Sequence, residues 1–370
     1  MSLENSKIRG VFMTENSMSI INETESKTKK PFFIKRLWER FVDRPMKERK
    51  KKKEIKEYID KLNPRTFKEK LLDLLHEIWL HKFFYLLLIP GIVLLIIFAY
   101  KPMYGIVLAF KDYSPKKGIM GSPWVDDFYN FRLLFEKAEF WNAFRNTLVI
   151  NVLKFIFGFP SSIILAVMIN AVKNKAFKNT IQTIVYLPHF VSWVVVSGLI
   201  FSLFDESSGS LYRLLTSLGM EVNVFGDGNQ FLALLVVSDI WKEVGWGAII
   251  YLAALSGISS DYYEAAQLDG ANKIQQFIHV TLPQLMPTIS IMIILRVGGL
   301  IGGGFEQIYN LYNPQLYEYA DVLDTFVYRF GIGAGQFELG TALGLFQNVI
   351  NIVLLLSANK IVDFINKRYE

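Results

Sequence analysis

"EAAQLDGANKIQQFIHVTLPQLMPTI", Glu264 to Ile289, is a polar stretch set between two apolar runs. It carries Glu264, Asp269 and Lys273 and closes on Pro283 and Pro287. Its residue order predicts two short helices. Asp261 is placed to N-cap the first, with Glu264 three residues on, the spacing of a capping box. Gly270 supplies the left-handed position that ends that helix. A second helix then carries Ile274, Phe277 and Ile278 on one stripe, and the prolines steer the chain back toward the apolar sequence. Ala265 and Ala266 are small enough for close approach by another surface. An ordinary connection takes ~4–6 residues, so an insert of this length with its own caps suits docking better than mere linkage.

Outward from the insert, the apolar runs recur. A bilayer-spanning helix needs ~20 predominantly apolar residues. Six candidates follow in order, at about Phe83–Tyr100, Phe144–Met168, Ile181–Leu203, Phe231–Leu255, Thr288–Ile301 and Thr341–Ile361. The fifth is short and runs into "GGLIGGG", which predicts an irregular or broken helix. Backbone polar groups in lipid must be satisfied within a segment, so the expected class is an all-α integral membrane protein with six transmembrane helices. The alternating ten-residue segments of a β-barrel are missing. The domain division expected is a basic N-terminal extension, residues 1–81, and a transmembrane domain, residues 82–370, with the polar loop at about 256–287.

Charge fixes an expected orientation. Residues 1–82 hold 21 Lys/Arg and 13 Asp/Glu, while the rest hold 19 and 21. The basic excess therefore sits in front of the first span, where Lys/Arg favour the cytoplasm and anionic membrane lipid. "KRLWERF" and its neighbours mix cations with Phe32, Phe33, Trp38 and Phe41, the pattern of an interfacial amphipathic helix. The loop between the second and third spans has Lys173, Lys175 and Lys178 and no acid. The opposite loops are acidic. These biases put both termini, and the polar insert, in the cytoplasm of a multi-pass protein of the cell membrane. The basic tail lacks interleaved stacking aromatics, so nucleic acid is not expected as a partner.

Several chemistries are excluded. Cysteine is absent and only four histidines occur, none at zinc-ligand spacing. No G-x-x-x-x-G-K-[ST] phosphate cradle exists, so the chain is not expected to hydrolyse ATP or to be an enzyme. Within the fourth span lie Asp239, Trp241, Lys242, Glu243 and Trp246. Charges at depth are costly and face a bundle interior or a water-filled cavity. Asp239 and Lys242, at i and i+3, can neutralise each other. Arg296, in the fifth span, can pair with Glu243 or Asp239 across helices. The glycines up to Gly304, followed by Glu306, Gln307, Tyr309 and Asn310, form a second candidate part of a solute path. An ion-coupled secondary transporter would share these charges and breaks, but would not need the capped helix pair.

The insert resembles the EAA motif of bacterial ABC importer permeases: Glu264, Ala265, Ala266, Gly270, Leu282 and Pro283 stand at the motif's spacing, with Val280 where the family has Ile. "YKPMYGIVLAFKDYSP", "YLPHFVSWVVV", "WKEVGWG" and "FEQIYNLYNP" are similar to the polysaccharide branch of carbohydrate permeases, relatives of the maltose transporter's membrane subunits. The resemblance covers about residues 83–370. It implies the type I ABC importer permease fold and a coupling role for the six motif residues. For a sugar cargo, the charges and aromatics of the fourth span and the polar groups after the glycines give the expected path: Trp241, Lys242, Glu243, Trp246, Glu306, Gln307, Tyr309 and Asn310. The partners implied are a second homologous permease subunit, two ATP-binding cassette subunits that hold the ATP and Mg, and an extracellular sugar-binding lipoprotein. No cofactor is implied on this chain.

Overall fold

The computed structural model describes residues 67–366. The expected interfacial helix beginning near Phe32 lies outside the described residues. Among those described, the chain is helical, and its strand-like pairing is one isolated bridge between Lys111 and Trp124. A first compact unit ends at Leu95 and a second begins at Ile96. In the first, α1 (Phe67–Leu80) precedes α2 (Lys82–Leu95), whose Phe83, Leu87 and Ile92 are all exposed. A helix apolar on every side is a membrane helix.

The second unit begins with irregular helical turns, and then α3 (Tyr129–Glu136) leads into the 34-residue α4 (Ala138–Ala171). Next come α5 (Lys175–Tyr186), α6 (Trp193–Leu203) and α7 (Ser210–Ser217). The 29-residue α8 (Gly228–Ser256) follows. The polar insert forms α9 (Ser260–Leu268) and α10 (Lys273–Gln276), and α11 (Leu282–Val297) continues from it. After the glycine-rich turn stand α12 (Phe305–Leu311) and the final α13 (Phe337–Asn366).

Among the described residues, four helical stretches are long and apolar enough to cross a membrane: Lys82–Phe110, Ala138–Ala171, Lys273–Val297 and Phe337–Val362. A fifth forms if Lys175–Phe190 and Trp193–Leu203 count as one broken span. The helix α8 has the length, about 43 Å at 1.5 Å per residue, but carries three charges near its middle. Counting it brings the number to the expected six.

Two spans depart from expectation. The third is not one rod, because its halves meet at 98°. Pro188 cannot donate, Leu187–Phe190 tightens to a 3₁₀ turn, and the Ser192 hydroxyl caps α6 by accepting from Val195 N. The fifth is longer than expected, because Pro283 and Pro287 do not end it. Pro283 sits in the first turn of α11, and a π-helical segment, Phe277–Thr281, absorbs the misfit ahead of it.

Helices in lipid gain nothing from burying apolar surface against each other beyond close packing, so small residues and polar contacts decide the bundle. The helix α4 runs through the middle. Its first turns pack Phe140 and Ala143 on Leu134, Phe326 and Leu343. Its centre packs Ile150 against Val196, Phe231 and Ile308, and its last third packs Ile163 and Ala166 against Tyr251, Leu255 and Leu285. At Gly245, α8 lies so close to α5 that an added Cβ would meet the Val185 carbonyl oxygen at 1.9 Å.

The irregular backbone of the glycine-rich turn needs partners, since lipid offers none. Side chains supply them. Asn151 of α4 donates to Leu300 O at 2.9 Å, Gln347 of α13 donates to Ile301 O at 3.2 Å, and Asn351 accepts from Ile301 N at 3.2 Å. Asp324 accepts from Gly303 N at 2.7 Å and from Gln347. The break is thus held in one geometry by α4 and α13.

Candidate functional site

Two constellations carry chemistry, and the first is the helix pair α9–α10. The cap of α9 differs from the expectation. Ser259, not Asp261, accepts from the backbone, at Asp261 N and 3.3 Å. Asp261 lies one residue inside the helix, where its carboxylate faces the positive end of the dipole. Glu264 is exposed and makes no capping bond. A capping box does form, but one helix later: Asn272 accepts from Gln275 N at 2.9 Å while Gln275 accepts from Asn272 N at 2.8 Å.

Gly270 ends α9 as expected, at φ +80°. Ala271 N reaches Ala266 O at 2.9 Å and Gly270 N reaches Gln267 O at 3.0 Å, the two bonds of a Schellman motif. Tyr263 Oη and Thr281 Oγ1, 3.0 Å apart, tie α9 to the segment that follows. Leu282 packs against the Tyr251–Leu285 cluster, and Pro283 starts α11. Outward from this braced corner project Leu268, 90% exposed, and Ile274, 71% exposed. Both side chains stand open at the tip of a turn that the Gly270 and Asn272 bonds hold fixed.

The second constellation is a polar cavity of about 280 Å³ between α4, α8, the end of α11 and the glycine-rich turn. Lys154 of α4 pairs with Asp239 of α8 at 3.0 Å and also donates to the Gln307 side-chain oxygen. Gln307, itself buried, donates to Leu235 O at 2.8 Å and to Ser238 Oγ at 2.9 Å. The Lys154–Gln307 contact thereby clamps α4, α8 and α12 together.

Glu243 accepts from His189 at 2.8 Å and lies 3.5 Å from Lys242 Nζ. Lys242 is buried and donates to His189 O at 2.6 Å, satisfying a carbonyl freed by the bend. The His189 ring stacks on Trp246 with centroids 4.4 Å apart. Arg296 also lines the cavity and makes no ion pair among the described residues.

Two expected pairings are therefore corrected. Asp239 and Lys242 do not neutralise each other, because Lys154 on the facing helix takes Asp239 while Lys242 turns toward the bend. Arg296 pairs with neither Asp239 nor Glu243, since both carboxylates are already engaged.

The residues expected along a solute path divide. Glu243 and Gln307 line the cavity. Lys242 stands behind it, Trp246 braces His189, and Trp241 is exposed away from the lining. Glu306 is exposed, its carbonyl accepting from Asn310 at 2.6 Å. Tyr309 faces a separate cleft with Tyr312, Tyr317 and Tyr328. Sequence reasoning passed over Asn151, Lys154, Ser162 and Trp193, which also line the cavity. Lys154 could have been found: it is the lone charge between Leu148 and Ile169, and an intramembrane charge marks a functional site by default.

Comparison with known proteins identifies the family. Residues 158–370 match the family described as binding-protein-dependent transport system inner membrane component. Protein LplB of Bacillus subtilis (strain 168) is 42% identical over 290 residues, 78% of this chain and 90% of that one. The polygalacturonan/rhamnogalacturonan transport system permease protein YteP of the same organism is 39% identical over 80% of this chain and 92% of its own length. Among solved structures, a bacterial ABC transporter involved in the import of the acidic polysaccharide alginate superposes with a TM-score of 0.73. It is 39% identical and covers 79% of this chain and 99% of that one. A second structure of the alginate transporter, in complex with a periplasmic protein bound to an alginate pentasaccharide, gives a TM-score of 0.72 at 38% identity, over 79% of this chain and 98% of that one. The family match and the likeness in sequence and fold over most of the chain agree, and the chain belongs to the family of binding-protein-dependent transport system inner membrane components, with the type I ABC importer permease fold.

Proposed function

We propose that this chain is one permease half of an importer that carries an oligosaccharide or polysaccharide fragment into the cytoplasm. In this reading it pairs with a second homologous permease subunit. Two ATP-binding cassette subunits, which hold the ATP and Mg, dock on α9–α10, and an extracellular sugar-binding lipoprotein delivers the cargo. The observation that carries the reading is the charge-lined cavity beside the glycine break, in a chain alike over most of its length to an alginate importer's. Lys154 is balanced by Asp239 and Glu243 by Lys242, which leaves Arg296, among the described residues of the cavity, as the cation available to a carboxylate-bearing sugar. Glu243, Gln307 and Arg296 contact the cargo, and Lys242 and Trp246 hold the bend that positions Glu243.

The coupling residues are Glu264, Ala265, Ala266, Gly270, Leu282 and Pro283. Glu264 and Ala265 are exposed on α9, free to meet another subunit. The last third of α4, the end of α8 and the start of α11 share one packed cluster, so the lysine loop after α4 and the α9–α10 pair lie at the same end of the bundle. That common end supports a cytoplasmic position for both by the Lys/Arg bias, which from the sequence alone favours the same side for the two termini. The family's dependence on a binding protein disfavours the ion-coupled alternative.

The test is uptake of pentasaccharides derived from alginate and from polygalacturonan by cells carrying the complete importer. Deleting this chain should abolish uptake, and Arg296→Gln should weaken it for acidic more than for neutral chains. Equal uptake with and without the chain would refute the reading.

A further inference from the structure

The short helix α12 presents two faces to two different spaces. Gln307 points into the charged cavity, while Phe305, Tyr309 and Tyr312, at i, i+4 and i+7, form an aromatic stripe on another side. Phe305 and Tyr309 stack at 5.1 Å with planes 15° apart. Tyr328 meets Tyr309 edge-on at 5.0 Å, and Tyr317 meets Tyr312 at 5.0 Å. Across from the stripe, the Arg329 guanidinium lies over the Tyr317 ring at 4.3 Å and is ion-paired with Asp321. Tyr309, Tyr312, Tyr317, Tyr328 and Arg329 line an open cleft of about 660 Å³, in which Tyr309 is 42% and Tyr328 39% exposed.

We infer that this cleft is a second sugar subsite, one that stacks a pyranose ring and feeds the charged cavity. The inference rests on the carbohydrate reading above. The chemistry of the lining selects the ligand. Asp321, 2% exposed, matches the Arg329 charge, so the cleft recruits by contact and not by net charge. The negative faces of aromatic rings attract the slightly positive C–H face of a sugar, and phenolic hydroxyls can both donate and accept toward its hydroxyls. The volume lies within the range of about 300–1,000 Å³ typical of small-molecule sites and exceeds the need of a single ring. Because α12 is shared, a chain long enough can engage Tyr309 and Gln307 together, and a short one cannot.

Chain length therefore supplies the test. Uptake of two-residue and five-residue chains from alginate and polygalacturonan is measured in cells carrying the complete importer. The double variant Tyr309→Leu/Tyr328→Leu keeps apolar volume and removes both rings. It should lower the uptake efficiency of the five-residue chain about tenfold, the loss expected for two aromatic contacts, and leave the two-residue chain within about twofold. The double variant Tyr309→Phe/Tyr328→Phe keeps the rings and should retain most of the length preference. An equal fall for both lengths, or loss of the assembled complex from the membrane with the Leu pair, would mean that the rings only pack or hold a protein partner, and would overturn the inference. Normal uptake of both lengths would overturn it too. Absence of any sugar uptake by the wild type is a different result, because it removes the carbohydrate reading and this subsite with it.

Discussion

Replacing Gly245 by Ala tests the packing that shapes the cavity. The added Cβ would lie 1.9 Å from the Val185 carbonyl oxygen and 2.5 Å from its carbonyl carbon. Both are backbone atoms and cannot rotate aside, so α5 and α8 must separate by more than about 1 Å to reach ordinary contact. Overpacking a core costs ~1–3 kcal/mol, and a backbone obstacle belongs at the top of that range. The damage reaches the site because Val185 stands just before Pro188 and His189, whose backbone holds Lys242 and whose ring holds Glu243. Thermal unfolding of the purified chain should shift down by about 6–12 °C, using ~2–4 °C per kcal/mol for a large domain. Sugar uptake should fall with it. Gly158→Ala is the comparator, since its Cβ would meet Ile240 Cγ1 at an ordinary 3.7 Å. A Gly245→Ala midpoint within about 2 °C of that comparator, against the 6–12 °C expected, would refute the close approach.

Other outcomes follow from single contacts. Lys154→Met leaves the half-buried Asp239 without its cation and should cost about 1–3 kcal/mol, with partial rescue by Asp239→Asn, read as membrane level and uptake. Gly270→Val should cost about 1–2 kcal/mol from its left-handed backbone alone, because no atom lies within 4 Å of its Cβ position. With Glu264→Lys, it should leave the chain in the membrane while reducing co-purification of the ATP-binding subunit and uncoupling ATP hydrolysis from uptake. The Ser207 hydroxyl and the Ser208 hydroxyl and amide hold Asp205 down to about 2. Its folded pKa lies below the unfolded value of about 3.9, so this support is complete above that pH and lost as pH falls through about 2. Hydrogen-exchange protection of the Ser208 amide should follow the same course.

The readable parts of the molecule were local. Gly270 announces its own backbone conformation, and the EAA spacing is carried within twenty residues of chain. Hydropathy locates the long spans because each must satisfy its backbone internally. Helix starts were less exact: Ser259 and Asp261 are both good caps, and only the φ/ψ values of the chain choose between them. The third span reads as one apolar run, and its 98° bend comes with Gly245 of a distant helix lying against the Val185 carbonyl, a contact sixty residues away. Pro283 and Pro287 read as the end of the insert, yet the helix runs on through Pro287, behind the π segment Phe277–Thr281. The cavity was half legible. Glu243 and Gln307 stood out as polar groups in apolar sequence, but the Lys154–Asp239 pair joins residues 85 apart and displaced the shorter-range pairing that the spacing offered.

Cargo is expected to cross through this chain only in an assembly powered by ATP. The direct measurement is uptake of a labelled alginate or polygalacturonan pentasaccharide into proteoliposomes holding this chain, its partner permease and the ATP-binding subunits, with the binding protein outside. Uptake should require enclosed ATP, ignore an imposed ion gradient and vanish when either permease is omitted. Uptake by this chain alone, driven by an ion gradient without ATP, would contradict the account.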